Sequence, residues 1–264
     1  MRQLTIQINK LLTNGRAIFL AYDQGMEHGP VDLNLKNVDP NYIMDIALEG
    51  HYNGVILQHG TAEKYYQDYY KDIPLIVKLN GHTNMTKKEP VSRQLCSVER
   101  AIKLGANAVG YTLFNGSSEE NDMMIEFSKI VDTAHDYGLP VIAWAYPRGQ
   151  FIKDSNSTET IAYAVRIAAE MGADIIKVKY NHDFEGFKWV VKNACRAKVV
   201  ISGGIHEEIN QFLEKTEEIL KTGAIGLAVG RNIWQSEKPF SLTKAIQAII
   251  HHNKTVEEAK KFLE

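Results

Sequence analysis

The stretch STETIAYAVRIAAEMGADIIKVKY, residues 157–180, holds a helix and a strand joined by a glycine. Its first part repeats apolar residues at the three- and four-residue spacing of an amphipathic helix. It opens on a capping-box pattern at Ser157 or Thr158 and ends on Gly172, where a glycine can close the last turn. The run that follows, DIIKVKY (174–180), is short and nearly continuous in apolar residues, as expected of a strand buried on both faces of a parallel sheet. The succession of helix, Gly-Ala and short strand recurs at Gly105-Ala106 and Gly223-Ala224.

Seven more runs of the same kind lie outward from this one: AIFLAYD (17–23), GVILQ (54–58), PLIVKLN (74–80), AVGYTL (108–113), PVIAWAY (140–146), KVVISGG (198–204) and AIGLAVG (224–230). Helical patterns separate them, among them SVERAIKLGA (97–106), ending at Gly105, and EENDMMIEFSKIVDTAHDYG (119–138), ending at Gly138. Eight strands alternating with helices over about 250 residues is the arithmetic of a (β/α)8 TIM barrel, an α/β fold. An open doubly wound sheet is the competing architecture, but it expects a GxGxxG turn after the first strand, and none is present. The tail reads as a last barrel helix (242–251) followed by a short extra helix (256–263). With no linker or low-complexity tract, the expectation is one barrel domain over residues 1–264 with a short C-terminal helical extension.

Composition narrows the function classes. The chain has 264 residues, 44% hydrophobic and 23% charged, which argues against disorder. Thirty basic against 32 acidic residues give a net charge of −2, which speaks against nucleic acid as a partner. No apolar run reaches membrane-spanning length, and MRQLTIQINK at the start lacks the apolar stretch of a secretory signal. Two cysteines, Cys96 and Cys195, do not make a disulfide scaffold, and a cytoplasmic location is expected.

In a barrel of this kind the chemistry sits where the strands end. Lys177 and Lys179 are two apart, so they share a face of their strand. If that face is the interior, burial and the neighbouring ammonium both favour a neutral amine, the form that Schiff-base chemistry needs. The competing reading pairs both lysines with carboxylates such as Asp23 or Glu185. Ser202-Gly203-Gly204 and Gly230-Arg231 fall after the seventh and eighth strands, where such barrels often hold phosphate on backbone N–H groups with a basic side chain beside them. Trp144 and Tyr146 share a face at the end of the fifth strand. Trp144 suits barrel filling, whereas Tyr146, next to Pro147-Arg148-Gly149, is a candidate proton carrier. His28, His59 and His82 end three successive strands and raise a metal alternative, though their spacing matches no local metal motif.

The segments AYDQGMEHGP (21–30), AYPRG (145–149), GADIIKVKY (172–180), SGG (202–204) and VGRNIWQ (229–235) resemble the archaeal-type class I fructose-1,6-bisphosphate aldolases of the DeoC/FbaB aldolase family. The resemblance implies a lyase of glycolysis and gluconeogenesis that needs neither metal nor other cofactor and forms a covalent Schiff base on a lysine. It maps the nucleophile onto Lys177 with Lys179 as its cationic neighbour, the acid–base tyrosine onto Tyr146, and the strand-one aspartate onto Asp23. Trp144 stands beside them, and Glu185 is implied as a hydrogen-bond partner of Trp144 or Tyr146. Phosphate contacts are implied for Ser202, Gly203, Gly204, Gly230 and Arg231, with Arg148 and His28 near the second phosphate and Lys179 among the substrate-binding residues. The implied partners are a phosphorylated sugar and further copies of the chain, up to a decamer. Aminodideoxyheptulosonate synthases of the same family share several of these motifs, and Trp144 favours the bisphosphate aldolases over them. A phosphate-binding barrel without aldolase chemistry would explain the two glycine loops but not the strand lysines.

Overall fold

The computed structural model describes residues 5–86, 89–204 and 206–263. The first four residues of the leading stretch read above fall outside this set. Eight parallel strands close into a barrel: β1 (Ala17–Ala21), β2 (Gly54–Gln58), β3 (Leu75–Lys78), β4 (Ala106–Leu113), β5 (Val141–Ala145), β6 (Ile175–Val178), β7 (Lys198–Ser202) and β8 (Gly226–Val229). Each strand pairs with its sequence neighbours, and β1 closes on β8 through the register Ala17 to Gly226. All the runs read from the sequence are strands.

The strand residues divide by the two-residue alternation of a sheet. Ala17, Phe19, Ile56, Ile76, Ala108, Ile142, Ile175, Val200 and Ala228 pack together inside the barrel. The alternate residues, such as Ile18, Val77, Val109, Ile176 and Ile201, pack outward in the larger cluster shared with the helices. Leu11, from a short 3-10 turn (Ile8–Leu11), joins the inner cluster and closes the N-terminal end of the barrel. The polar contents are thus displaced to the opposite end.

A helix follows every strand: α1 (Pro40–Glu49), α2 (His59–Tyr65), α3 (Val98–Lys103), α4 (Glu120–Asp136), α5 (Thr158–Glu170), α6 (Phe184–Asn193), α7 (Ile209–Lys221) and α8 (Pro239–His252). Short helical turns also follow β1 (Gly25–His28) and β8 (Arg231–Trp234), and Val256–Lys260 forms the extra C-terminal helix. Ser157 caps α5 by accepting from the Thr160 N–H, but Thr160 is not a capping-box acid. The complete reciprocal box lies instead at the C-terminal helix, between Thr255 and Glu258. No helix among the described residues is long and apolar enough to cross a membrane.

Gly110 on β4 is an inward position where a side chain is excluded. A Cβ built there would lie 2.0 Å from the Trp144 ring of the neighbouring strand. Gly110→Ala is therefore expected to cost about 1–3 kcal/mol, as overpacked cores do. Urea unfolding checks this. An unchanged midpoint would mean that the indole moves aside freely.

Candidate active site

All twelve residues singled out as a site line one pocket at the C-terminal end of the barrel: Asp23, His28, Trp144, Tyr146, Arg148, Lys177, Lys179, Ser202, Gly203, Gly204, Gly230 and Arg231. Its volume is about 170 Å³, and Glu27 and Lys78 complete its charged lining. The floor and the rim of this pocket differ in electrostatics.

At the floor, Lys177 is 6% exposed and points inward from β6, two residues beyond Ile175. Burial is the main force on its ammonium, and Lys78 adds repulsion. Asp23 and Glu27 oppose both, and the net effect is a pKa lowered to about 8. About one molecule in ten then carries the free amine at pH 7, far more than an ordinary lysine would supply. The cation that pushes Lys177 down is Lys78, not Lys179 as its place on the same strand suggested.

Lys78, at the end of β3, is 1% exposed and was not singled out in the sequence. Its Nζ lies 3.1 Å from Glu27 and 3.7 Å from Asp23. The Trp144 indole faces both amines, with Lys177 Nζ 5.0 Å and Lys78 Nζ 5.3 Å from its ring. Burial opposes the Glu27 carboxylate, but Lys78 and His82 outweigh it and hold Glu27 below its usual range. Burial and the Asp23 charge push the Tyr146 phenol upward, against a hydrogen bond with Ser202. Tyr146 is therefore a neutral proton donor at rest.

The rim is cationic. Lys179 is exposed, and its pKa is lowered first by partial burial and then by Arg148 and Arg231. Three cations that repel one another around a pocket mouth are relieved by an anion. Arg231 is fixed from behind, donating to the Gly204 carbonyl at 3.1 Å and lying 3.5 Å from Asp32. Asp32 also bonds the His28 ring at 2.8 Å, so one carboxylate orients both groups. Asn232 donates to the Gly203 carbonyl and accepts from the Glu207 N–H, tying the loops after β7 and β8 together. Gly204 has a φ of +77°, a conformation that side chains rarely adopt.

Two expectations are corrected. Glu185 does not reach Trp144 or Tyr146. It is 77% exposed in the first turn of α6 and pairs with Lys188. Nor do the three strand-end histidines converge: His28 turns to Asp32, His82 lies 3.7 Å from Glu27 and edge-on to Phe114, and His59 begins α2. Among the described residues, no group of three His, Cys, Asp or Glu side chains has the geometry to hold a metal ion.

A closed (β/α)8 barrel with a desolvated, part-neutral lysine at its catalytic end defines the class I aldolase architecture. The model of the DeoC/LacD family aldolases matches residues 17–236, and the chain belongs to that family. It is 43% identical over 247 residues to the fructose-bisphosphate aldolase class 1 of Thermoproteus tenax, covering 92% of this chain and 93% of the relative. The enzyme of the same name from Halobacterium salinarum is 42% identical over 248 residues, covering 93% and 94%. The fold superposes on an archaeal fructose-1,6-bisphosphate aldolase whose catalytic lysine is covalently bound to the carbinolamine intermediate of its substrate. The TM-score is 0.89 at 42% identity, covering 92% of this chain and 98% of that one.

Proposed function

We propose that this chain, as a single barrel domain, is a metal-independent class I aldolase. It reversibly cleaves fructose 1,6-bisphosphate into dihydroxyacetone phosphate and glyceraldehyde 3-phosphate. The observation that carries this reading is the buried, part-neutral amine of Lys177 at the floor of a pocket whose rim is cationic. The curated aldolase relatives add the substrate.

Neutral Lys177 attacks the C2 ketone and forms a carbinolamine. Tyr146, a phenol at rest, gives its proton to the departing hydroxyl, and water leaves with the iminium ion formed. The phenolate produced in that step is the base for the next. It takes the C4 hydroxyl proton while the C3–C4 electrons flow into the iminium, which releases the aldehyde and leaves an enamine. Protonation of that enamine at C3 and hydrolysis return the amine and dihydroxyacetone phosphate. Asp23, held by Lys78, orients substrate hydroxyls. Ser202, Gly203, Gly204, Gly230 and Arg231 hold one phosphate. Lys179, Arg148 and His28 serve the other, so binding far from the reacting carbons fixes their geometry.

Borohydride reduction in the presence of dihydroxyacetone phosphate, followed by peptide mapping, tests the reading. Label on Lys177 is the expected result, and absence of label overturns the Schiff base. The iminium is the electron sink, so activity is expected to survive extensive chelation. Loss to chelator with recovery on adding zinc would favour a metal aldolase. Arg231→Ala is expected to raise KM for the bisphosphate about tenfold to a hundredfold, the worth of a charged hydrogen bond. An unphosphorylated analogue should barely respond, and an equal effect on both would remove Arg231 from phosphate binding.

A further inference from the structure

We propose that Lys78 is a positioning residue for the aldol reaction, the buried cation that clamps Glu27 and Asp23 at the pocket floor and sets a positive charge opposite Lys177. The inference rests on the Schiff-base reading of Lys177. Three observations carry it.

Lys78 is one of the most completely buried charged side chains described, at 1% exposure. A buried ammonium persists only where it is paired. Here the partners are Glu27 at 3.1 Å and Asp23 at 3.7 Å, both on the segment that follows β1. β1 and β3 flank β2, so this cluster ties together strand ends that are not direct neighbours. Structural need alone does not explain it, because the inner layers below are filled with aliphatic and aromatic side chains. Hydrophobic residues of similar volume would serve packing equally well.

The cluster is also aimed. Lys78 and Lys177 approach the Trp144 ring to 5.3 and 5.0 Å, and both line the substrate pocket. The charged groups facing Lys177 are Asp23 and Glu27 from the β1 side and Lys78 from β3. Tyr146, after β5, and Lys179, after β6, also line the pocket. Lys78 is the cation that balances the two carboxylates. Without it, Asp23 and Glu27 would hold Lys177 protonated and the nucleophile would be lost near neutral pH. Lys78 thus does two things through other residues: it orients Asp23, and it keeps the amine usable.

Trace acetylation of Lys177 with acetic anhydride, followed across pH by mass spectrometry, reads the amine's titration without substrate. In Lys78→Met the midpoint should rise by about one unit or more, the size of effect a close charge produces. The acidic limb of kcat should move with it, whereas KM changes little. Lys78→Arg should keep the wild-type midpoint. If Lys78→Met fails to fold, the charge-balanced pair Glu27→Gln and Lys78→Met/Glu27→Gln gives the same comparison. Glu27→Gln lowers the midpoint, and adding Lys78→Met raises it again. A midpoint unmoved by removal of Lys78 in either background overturns the proposal. Borohydride label absent from Lys177 in the wild type would fell the Schiff-base reading separately, leaving the acetylation result to stand on its own.

Discussion

Lys177→Ala is expected to lose turnover by several orders of magnitude and to lose all borohydride-trapped label, while phosphate still binds at the rim. Both losses have one source. The substitution removes the buried pocket-floor amine that is partly uncharged near neutral pH. The rim contacts through Arg231 and Arg148 belong to other strand ends and remain, as does Lys179, two residues beyond Lys177 and just past the end of its strand. Single-turnover cleavage and equilibrium binding of inorganic phosphate separate the two effects. Label appearing on Lys179 in the wild type would move the nucleophile two residues along the strand. Substantial residual cleavage in the alanine variant would point to a mechanism without a Schiff base.

Tyr146→Phe should lower the carbon–carbon bond step by about 10²–10⁴-fold, the usual contribution of a general acid–base group. Phenylalanine keeps the ring and removes only the hydroxyl, so folding and the Trp144 packing should survive. In the sequence of steps above, the phenol serves twice, first as donor and then as base. The variant should therefore accumulate carbinolamine at the expense of the enamine. Rapid quench with borohydride, which reduces iminium but not carbinolamine, should trap less label per bound substrate than in the wild type. A cleavage rate within about threefold of wild type, far short of that acid–base range, would return Tyr146 to a packing role and leave proton transfer to Asp23.

The barrel was legible because a strand buried on both faces announces itself by a short apolar run, and eight such runs stood in order. The strand-end rule then pointed to the two lysines, Trp144, Tyr146 and the two glycine loops, and the family resemblance added Asp23, Arg148 and His28 to complete the twelve pocket residues. Lys78 escaped although it obeys the same two-residue alternation as Lys177. It lies two beyond Ile76, an inward position, and only its place in the interior of PLIVKLN drew attention away from it. Glu27 and Asp32 could not be assigned, because their work depends on partners distant in the sequence, Lys78 51 residues away and Arg231 after the last strand, which pairs with the first. Pairings of that range leave no local spacing to read. Glu185 failed for the opposite reason: the first turn of a helix welcomes an acidic residue for its own sake, and Lys188 one turn later satisfies it.

The burial of Lys177 bears on how firmly the chain holds its own shape. An amine that titrates near 8 in the native barrel and near 10.5 in the open chain takes up its proton more readily when unfolded. The native state is therefore penalised as pH falls from about 10.5 to about 8, and below that the penalty stays constant at on the order of 3 kcal/mol. Replacing Lys177 by methionine would lift this burden, and the inactive protein should melt at a higher temperature than the active one at neutral pH. The gap should close as the solution is made alkaline. By this reasoning the enzyme is deliberately less durable than its own dead variant.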